Sequence, residues 1–282
     1  MAPFPATAPA CCGYTLRGNG VTSEAPPVTG LALQVKDLRV SYGLKRAVDG
    51  VSLDIHEGEI FGLLGPNGAG KTSTLSAIEG LLKPTSGSIL IRQVDARSHP
   101  GPAKALIGVQ LQSTSFQSEL KISEIVKLYA GLYGVPLTQP AIFDRLTEIH
   151  LGDEASRRFS QLSGGQQKRL SLLIATVHDP SLVLLDEPTS GLDPQARRQL
   201  WDRIEGIRKS GRSILLTTHS MEEAQSVCDR VAIMDNGKIL TVDTPAGLIE
   251  KHKNDPNVLA VARGQVTLED VFIGLTGRDV RE

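Results

Sequence analysis

The sequence predicts an α/β protein with a mostly parallel central sheet, an antiparallel β layer beside it and an inserted helical subdomain. Apolar runs at 60–64 and 182–185 are each followed by a polar turn and then by helical periodicity, as expected for strands buried on both faces of a parallel sheet. Alternating apolar residues at 31–35 and an apolar-rich stretch at 51–55 indicate the antiparallel layer. Residues of about 113–164 depart from the strand–helix alternation and indicate the helical subdomain.

The chain is organised as one main domain with a short extension at each end. Residues 1–30 are rich in Pro, Ala, Gly and Thr, which predicts an extension without stable structure. They lack the basic start and long apolar core of a signal peptide. The main domain spans 31–277, with Ser123–Gly134 and Pro140–Leu151 as the clearest helices of the subdomain. Residues 278–282 form a tail.

Composition limits the classes of function. The formal net charge of −1 argues against a nucleic-acid-binding surface. No apolar stretch approaches the roughly 20 residues needed to cross a bilayer, so the sequence predicts attachment to a membrane through a partner only. The three cysteines, Cys11, Cys12 and Cys228, do not form a disulfide framework and fit a reducing compartment.

A glycine-rich segment follows the first buried strand. Residues Gly65 to Thr72 read GPNGAGKT and fit the pattern G-x-x-x-x-G-K-[ST] of a P-loop NTPase core. Its glycines let backbone N–H groups approach phosphate oxygens, and the helix predicted over Lys71–Leu82 adds a partial positive charge. Lys71 would reach the β- and γ-phosphates, and the Thr72 hydroxyl would ligate Mg²⁺. A Rossmann site is excluded because no G-x-G-x-x-G follows the strand.

Two adjacent carboxylates end the second buried run. Asp186 and Glu187 follow residues 181–185, where unpaired charge is costly unless a cation lies nearby. Mg²⁺ shared with Thr72 is the natural partner of Asp186. Glu187 would then polarise a water molecule in line with the γ-phosphate. Without the glycine-rich segment, a solvated strand end that caps the next helix would be the better interpretation.

Five further positions give the chain a family resemblance. The sequence resembles the nucleotide-binding subunits of ABC transporters in Tyr42, in Gln112, in Leu162–Gln166 (LSGGQ), in Ser190–Asp193 (SGLD) and in His219. The LSGGQ match is without a change and is specific to that family, whereas the P-loop is not. The resemblance covers roughly residues 31–277.

The resemblance implies a role for each matched position. Tyr42 would stack on adenine, Gln112 would sense Mg²⁺ and the attacking water, and His219 would contact the γ-phosphate or that water. Ordinary packing is the alternative for Tyr42, and helix capping or packing is the alternative for His219. The candidate catalytic residues are Glu187, His219 and Gln112, and the candidate Mg²⁺ ligands are Thr72, Gln112 and Asp186. The candidate nucleotide-binding residues are Tyr42, Gly65, Pro66, Asn67, Gly68, Ala69, Gly70, Lys71, Thr72, Ser73, Ser163, Gly164, Gly165, Gln166 and Asp193.

The resemblance also implies partners. The LSGGQ loop, itself a glycine-rich helix start, would cap the γ-phosphate held by a second copy, so that two ATP molecules join a homodimer. The segment Thr267–Phe272 resembles the ending of export-branch subunits. That branch exports drug, lipid or polysaccharide-type cargo through a separate polytopic membrane chain, at the cytoplasmic face of the membrane. The alternatives are an ATPase that acts on ribosomes or DNA, and an inactive binding module.

Apolar residues after Gln112 suggest a contact with the membrane chain. The hypothesis is that Phe116 and its neighbours line a groove for a short cytoplasmic helix of that chain. Leu128 is expected to pack inside the subdomain instead. One departure from the family pattern is Gln93, where many relatives have glycine in a hairpin.

Overall fold

The computed structural model of the protein describes residues 30–112 and 116–277. Residues 1–29 of the predicted unstructured extension and the tail at 278–282 lie outside the described residues. The described chain forms two sheets with helices packed around them.

The two sheets have different strand directions. The first sheet contains, in spatial order, β2 (Lys45–His56), β1 (Leu31–Tyr42), β4 (Ser86–Ile91) and β5 (Val94–Asp95). The second contains, in spatial order, β10 (Lys238–Asp243), β9 (Arg230–Asp235), β3 (Ile60–Leu64), β8 (Ser213–Thr218), β7 (Leu182–Asp186) and β6 (Ile107–Gln110). The first sheet is antiparallel, and the second is parallel except where β10 joins β9. The predicted fold class is confirmed by this architecture.

Burial explains why β3 and β7 were recognisable. Each strand has five residues, and every one of them is buried. Helices cover one face of the parallel sheet, while the antiparallel sheet and α1 cover the other. A strand buried on both faces needs a continuous apolar run, and the sequence supplies one at each place.

The helices follow the strands and build the subdomain. They are α1 (Lys71–Ile78), α2 (Pro100–Ala105), α3 (Ile122–Leu132), α4 (Gln139–Glu148), α5 (Gly164–Thr176), α6 (Pro194–Lys209), α7 (Met221–Val227), α8 (Pro245–His252), α9 (Pro256–Val261) and α10 (Leu268–Thr276). The subdomain contains α3 and α4, and its core also includes residues of α5.

Helix boundaries differ from the prediction by up to four residues. Helices α3 and α4 each begin one residue earlier and end two or three residues earlier than predicted. Helix α1 stops before Leu82 because Gly80 adopts φ +71, a left-handed conformation typical of helix ends. Helix α5, which the apolar periodicity after the LSGGQ loop predicts from Gln166, begins at Gly164. The cause is the Ser163 side chain, which accepts a hydrogen bond from the Gln166 N–H at 3.3 Å and so starts the helix earlier.

Two residues of the segment after Gln112 have different surroundings, and the expectation for Leu128 is wrong. Phe116 is half-buried and packs against the core of the subdomain, with edge-to-face ring contacts to Tyr129 at 5.1 Å and to Phe159 at 5.3 Å. Leu128, which was expected to be buried, is 41% exposed on α3. Aromatic pairs of this geometry stabilise a core beyond their buried area, so Phe116 has a structural role.

Candidate functional site

The glycine-rich segment connects β3 to α1, and two of its glycines are required by close backbone contacts. A Cβ on Gly70, which has φ +108, would lie 2.4 Å from the Ala47 carbonyl oxygen. A Cβ on Gly65 would lie 2.3 Å from the Met234 carbonyl oxygen. No real Cβ approaches backbone oxygen so closely. Only glycine therefore fits at these two positions, and the loop is held against both β2 and β9.

Lys71 points back into the loop that precedes it. Its ammonium donates hydrogen bonds to the carbonyl oxygens of Gly65 at 2.6 Å and Pro66 at 3.0 Å. Burial lowers the pKa of Lys71, while the carboxylates of Glu187 and Asp186 oppose that shift. A buried cation hydrogen-bonded to backbone carbonyls is prepared to exchange them for phosphate oxygens.

Asp186 faces the start of α1 from the end of β7. Its carboxylate accepts hydrogen bonds from the Thr72 hydroxyl at 3.2 Å and from the Thr217 hydroxyl at 2.5 Å. The hydroxyl and carboxylate oxygens of Thr72 and Asp186 are the kind of donor that Mg²⁺ prefers. Mg²⁺ sites beside phosphates commonly use one or two protein oxygens and complete their shell with phosphate and water. The residues present therefore fit a magnesium ion bound together with a phosphate.

Glu187 has an unusual backbone and three neighbours. It adopts φ +44, a left-handed conformation that is uncommon for residues other than glycine. Its N–H donates to the Thr217 hydroxyl at 3.0 Å. One carboxylate oxygen accepts from the Gln112 side-chain amide at 3.0 Å, and the other lies 3.4 Å from Nδ1 of His219. The predicted catalytic residues are thus brought together, with Glu187 between the other two.

One cleft of about 790 Å³ is lined by nine of the nineteen predicted site residues. The predicted residues that line it are Tyr42, Asn67, Gly68, Gly70, Lys71, Thr72, Ser73, Gln112 and Glu187. Tyr42 is 52% exposed and its hydroxyl lies 3.4 Å from the Ser73 hydroxyl, so its ring is available for a planar ligand. A cavity of about 830 Å³ beside α9 and α10 contains none of the predicted site residues in its lining.

The sequence interpretation missed several residues of this cleft. Lys45 and Arg46 line it from the start of β2, and Asn236–Gly237 line it from the turn between β9 and β10. The glycine N–H of that turn donates to the Ala69 carbonyl at 2.8 Å, and its carbonyl accepts from the Asp49 N–H at 2.8 Å. Asn-Gly between two apolar runs is a strong hairpin signal, but its contact with the glycine-rich loop depends on the tertiary fold.

The second glycine-rich loop lies outside this cleft. Ser163, Gly164, Gly165 and Gln166 do not line it, and neither does Asp193. Ser163 and Gln166 form a reciprocal cap at the start of α5, with the Ser163 N–H donating to Gln166 Oε1 at 2.9 Å. Asp193 caps α6 by accepting hydrogen bonds from the N–H groups of Gln195 at 3.0 Å and Ala196 at 2.9 Å. One copy of the chain therefore presents two separate anion-binding helix starts, at α1 and at α5.

A buried carboxyl group lies at the C-terminal end of α1 and was also missed. Glu79 is 5% exposed, and its Oε2 has no hydrogen-bond partner among the described residues. Burial, and to a lesser degree the charge of Asp186, raises the pKa of Glu79 to about 7. Glu79 is therefore protonated in the folded protein at mildly acidic pH.

We expect Glu79 to make the stability of the nucleotide-free protein depend on pH. Its pKa in the folded state, about 7, lies above the ordinary value of 4.5, so its stabilising contribution is complete at acidic pH. That contribution is lost as the pH rises through 7, and the loss is on the order of 1–3 kcal/mol. Glu79→Gln, which imitates the protonated form, should remove this part of the pH dependence.

The measurement is the free energy of unfolding in urea from pH 5 to pH 8, with a chelator present. Glu269→Gln, at an exposed glutamate of α10, is the matched control and should retain the wild-type slope. Equal slopes in Glu79→Gln and the wild type would contradict the prediction.

The arrangement in the cleft is suited to the hydrolysis of a polyphosphate. The loop amides and Lys71 can bind the phosphates, and the Asp186 and Thr72 oxygens can hold a divalent cation. Glu187 can accept a proton from a water molecule that Gln112 and His219 help to orient. Among the described helices, none combines the length and apolar character that crossing a membrane would require.

A family model and several named proteins match this chain. The family model described as ABC transporter matches residues 48–190. The chain is 37% identical over 232 residues to the Nod factor export ATP-binding protein I of Ralstonia nicotianae, with 80% of this chain and 72% of the relative covered. It is 31% identical over 309 residues to the protein of the same name from Cupriavidus pinatubonensis, with 91% and 94% covered.

Solved structures show the same similarity. An ATP-binding subunit of an ABC transporter superposes with a TM-score of 0.75 at 28% identity, covering 86% of this chain and 99% of that one. The cbiO1 protein of Clostridium perfringens, described as part of the ABC transporter complex cbiONQ, superposes with a TM-score of 0.68 at 26% identity, covering 82% and 98%.

Proposed function

The chain belongs to the ABC transporter family as an ATP-binding subunit and an ATPase, and we propose that it powers export through a separate membrane chain. The names of the Nod factor export relatives support export as the direction, as does the C-terminal segment Thr267–Phe272. We infer a drug, lipid or polysaccharide-type cargo, and a location at the cytoplasmic face of the membrane through the partner. Action on ribosomes or DNA has no support in these comparisons.

One arrangement carries the proposal. Lys71, Thr72, Gln112 and Glu187 line a single cleft, and Asp186 is hydrogen-bonded to Thr72 beside it. A binding module without activity would need Lys71 and Thr72. It would not need the Glu187 carboxylate to be held between the side chains of Gln112 and His219. The combination of phosphate-binding and proton-accepting groups supports hydrolysis rather than binding alone.

The proposed reaction uses the residues in fixed roles. Tyr42 stacks on the base, while the loop amides and Lys71 hold the β- and γ-phosphates. Glu187 accepts a proton from the water that attacks the γ-phosphorus, and the bond from that phosphorus to the bridging oxygen breaks to leave ADP and phosphate. Gln112 and His219 keep the Glu187 carboxylate and the water aligned. Thr72, Asp186 and Gln112 would hold Mg²⁺, which neutralises phosphate charge when bound.

We propose a homodimer in the ATP-bound state. The start of α5 is an anion-binding site that its own copy does not use, because its loop lies outside the cleft. The γ-phosphate held by a second copy satisfies the free N–H groups there. By two-fold symmetry, each copy would then complete the site of the other.

We expect Lys71→Ala to weaken ATP binding at least about tenfold, since it removes charge-assisted hydrogen bonds to phosphate. The measurements are a binding isotherm with a fluorescent ATP analogue and phosphate release in the presence of Mg²⁺. Lys83→Ala, at an exposed lysine, is the control and should behave as wild type. An unchanged affinity in Lys71→Ala, or no Mg²⁺-dependent phosphate release by the wild type, would contradict the proposal.

A further inference from the structure

Lys168 is a cation near the reaction site that belongs to the other glycine-rich element. It lies on α5, five positions after Ser163, and is half-buried. Its ammonium donates a hydrogen bond to the Gln112 carbonyl oxygen at 2.8 Å. Burial lowers the pKa of Lys168, and the nearby carboxylates of Asp186 and Glu187 oppose that shift. Lys168 does not line the cleft, so direct contact with the nucleotide is not its role.

Gln112 is held from two sides. Its carbonyl oxygen accepts the hydrogen bond from Lys168 on α5, and its side-chain amide donates to Glu187 at the end of β7. It lies two residues after the end of β6 and is exposed, so strand pairing does not fix its position. A continuous path of two hydrogen bonds therefore runs from α5 through Gln112 to the carboxylate of Glu187.

We propose that Lys168 is a positioning residue. When the second copy's ATP binds the loop Ser163–Gly165, Lys168 transmits the resulting displacement to Gln112. Gln112 in turn transmits it to Glu187 of the same subunit. This inference rests on the proposed function and on its two-copy arrangement. It assigns to each copy an internal connection between the loop that recognises the partner's ATP and the group that hydrolyses its own.

Helix α5 is suited to transmit such a displacement. The reciprocal cap of Ser163 and Gln166 makes the loop part of the helix. Arg169, next to Lys168, donates hydrogen bonds to the Ile149 carbonyl oxygen at 3.0 Å and to the Gln199 side-chain oxygen at 2.6 Å. These bonds connect α5 to the end of α4 and to α6. Only about 7.5 Å of helix axis separates Ser163 from Lys168. A small shift of the loop therefore reaches Lys168 largely undiminished, and hydrogen bonds weaken steeply when their angle changes.

The test compares variants of Lys168 in the purified full-length chain. Lys168→Met keeps the stem but removes the donor, and we expect a loss of about tenfold or more in kcat with ATP affinity of the subunit unchanged. Lys168→Arg keeps a cationic donor and should recover most of the rate. Lys168→Gln, too short to reach the carbonyl, is a second variant and should resemble Lys168→Met. Lys127→Met, at an exposed lysine of α3, is the control and should retain the wild-type kcat.

A double-mutant cycle separates transmission from a general structural effect. If Lys168 acts through Gln112, adding Lys168→Met to Gln112→Ala should cause no further loss of kcat. In the Glu187→Gln background, Lys168→Met should still permit ATP-dependent dimerisation, since the loop itself is intact. A normal kcat in Lys168→Met, additive losses in the cycle, or loss of the dimer would each overturn the inference. Failure of the proposed function is distinguishable, because wild type would then lack ATPase activity or Glu187→Gln alone would not dimerise.

Discussion

Replacing Glu187 by glutamine is expected to reduce ATP turnover by at least about 100-fold while ATP binding is retained, because the amide cannot accept a proton from water. The change is nearly isosteric, so the contact with Gln112 at 3.0 Å has a partner atom in the variant. It also removes a negative charge close to the γ-phosphate. ATP should therefore bind at least as well as in the wild type, and the ATP-bound homodimer should accumulate.

The experiment measures phosphate release and, on the same sample, the molecular mass by size-exclusion chromatography with light scattering. Glu269→Gln, an exposed glutamate far along the chain, should release phosphate at the wild-type rate and should not accumulate as a dimer. Turnover by Glu187→Gln at the wild-type rate would show that another group accepts the proton.

Gly164→Asp is expected to abolish that dimer without harming the separate subunit. A Cβ at Gly164 meets no heavy atom within 4 Å, so the new side chain fits in the free subunit. An acidic residue in the first turn of α5 is also favourable for the helix itself. In the dimer, however, its carboxylate would face the γ-phosphate of the second copy, and the two like charges would repel.

The double variant Gly164→Asp with Glu187→Gln tests this directly, since the second change would otherwise trap the dimer. Its affinity for ATP as a monomer should equal that of Glu187→Gln alone. Gly101→Asp is a matched control, because Gly101 lies in the first turn of α2 and a Cβ there is also unobstructed. A dimer that forms with ATP despite Gly164→Asp would rule out the proposed two-copy site.

Much of the fold was predictable because its strongest signals are local. The buried strands β3 and β7 are continuous apolar runs, and the glycine-rich segment between β3 and α1 has fixed spacing. The mostly parallel sheet follows from these features alone. Helix ends were less predictable, as the end of α1 shows: the left-handed conformation of Gly80 stops it before the apolar pattern does.

The residues that were missed depend on the tertiary fold. Phe116 and Leu128 are both apolar residues in one segment, and only the tertiary packing decides that Phe116 lies half-buried against the subdomain core while Leu128 is exposed. Lys168 is an ordinary charged residue of a helix until the Gln112 carbonyl is found beside it. Glu79 resembles a surface glutamate, and its raised pKa arises from burial that no local pattern reveals.

The backbone conformation of Glu187 lowers the stability of the folded protein, but it places the carboxylate where the proposed reaction needs it. A residue with a side chain at φ +44 costs the folded state on the order of 1–2 kcal/mol relative to a relaxed backbone. Glycine would relieve that strain, but it would remove the carboxylate from the place where the proposed reaction needs it. Evolutionary improvement of heat resistance is therefore blocked at this residue, and any gain in thermal tolerance must come from positions away from the cleft.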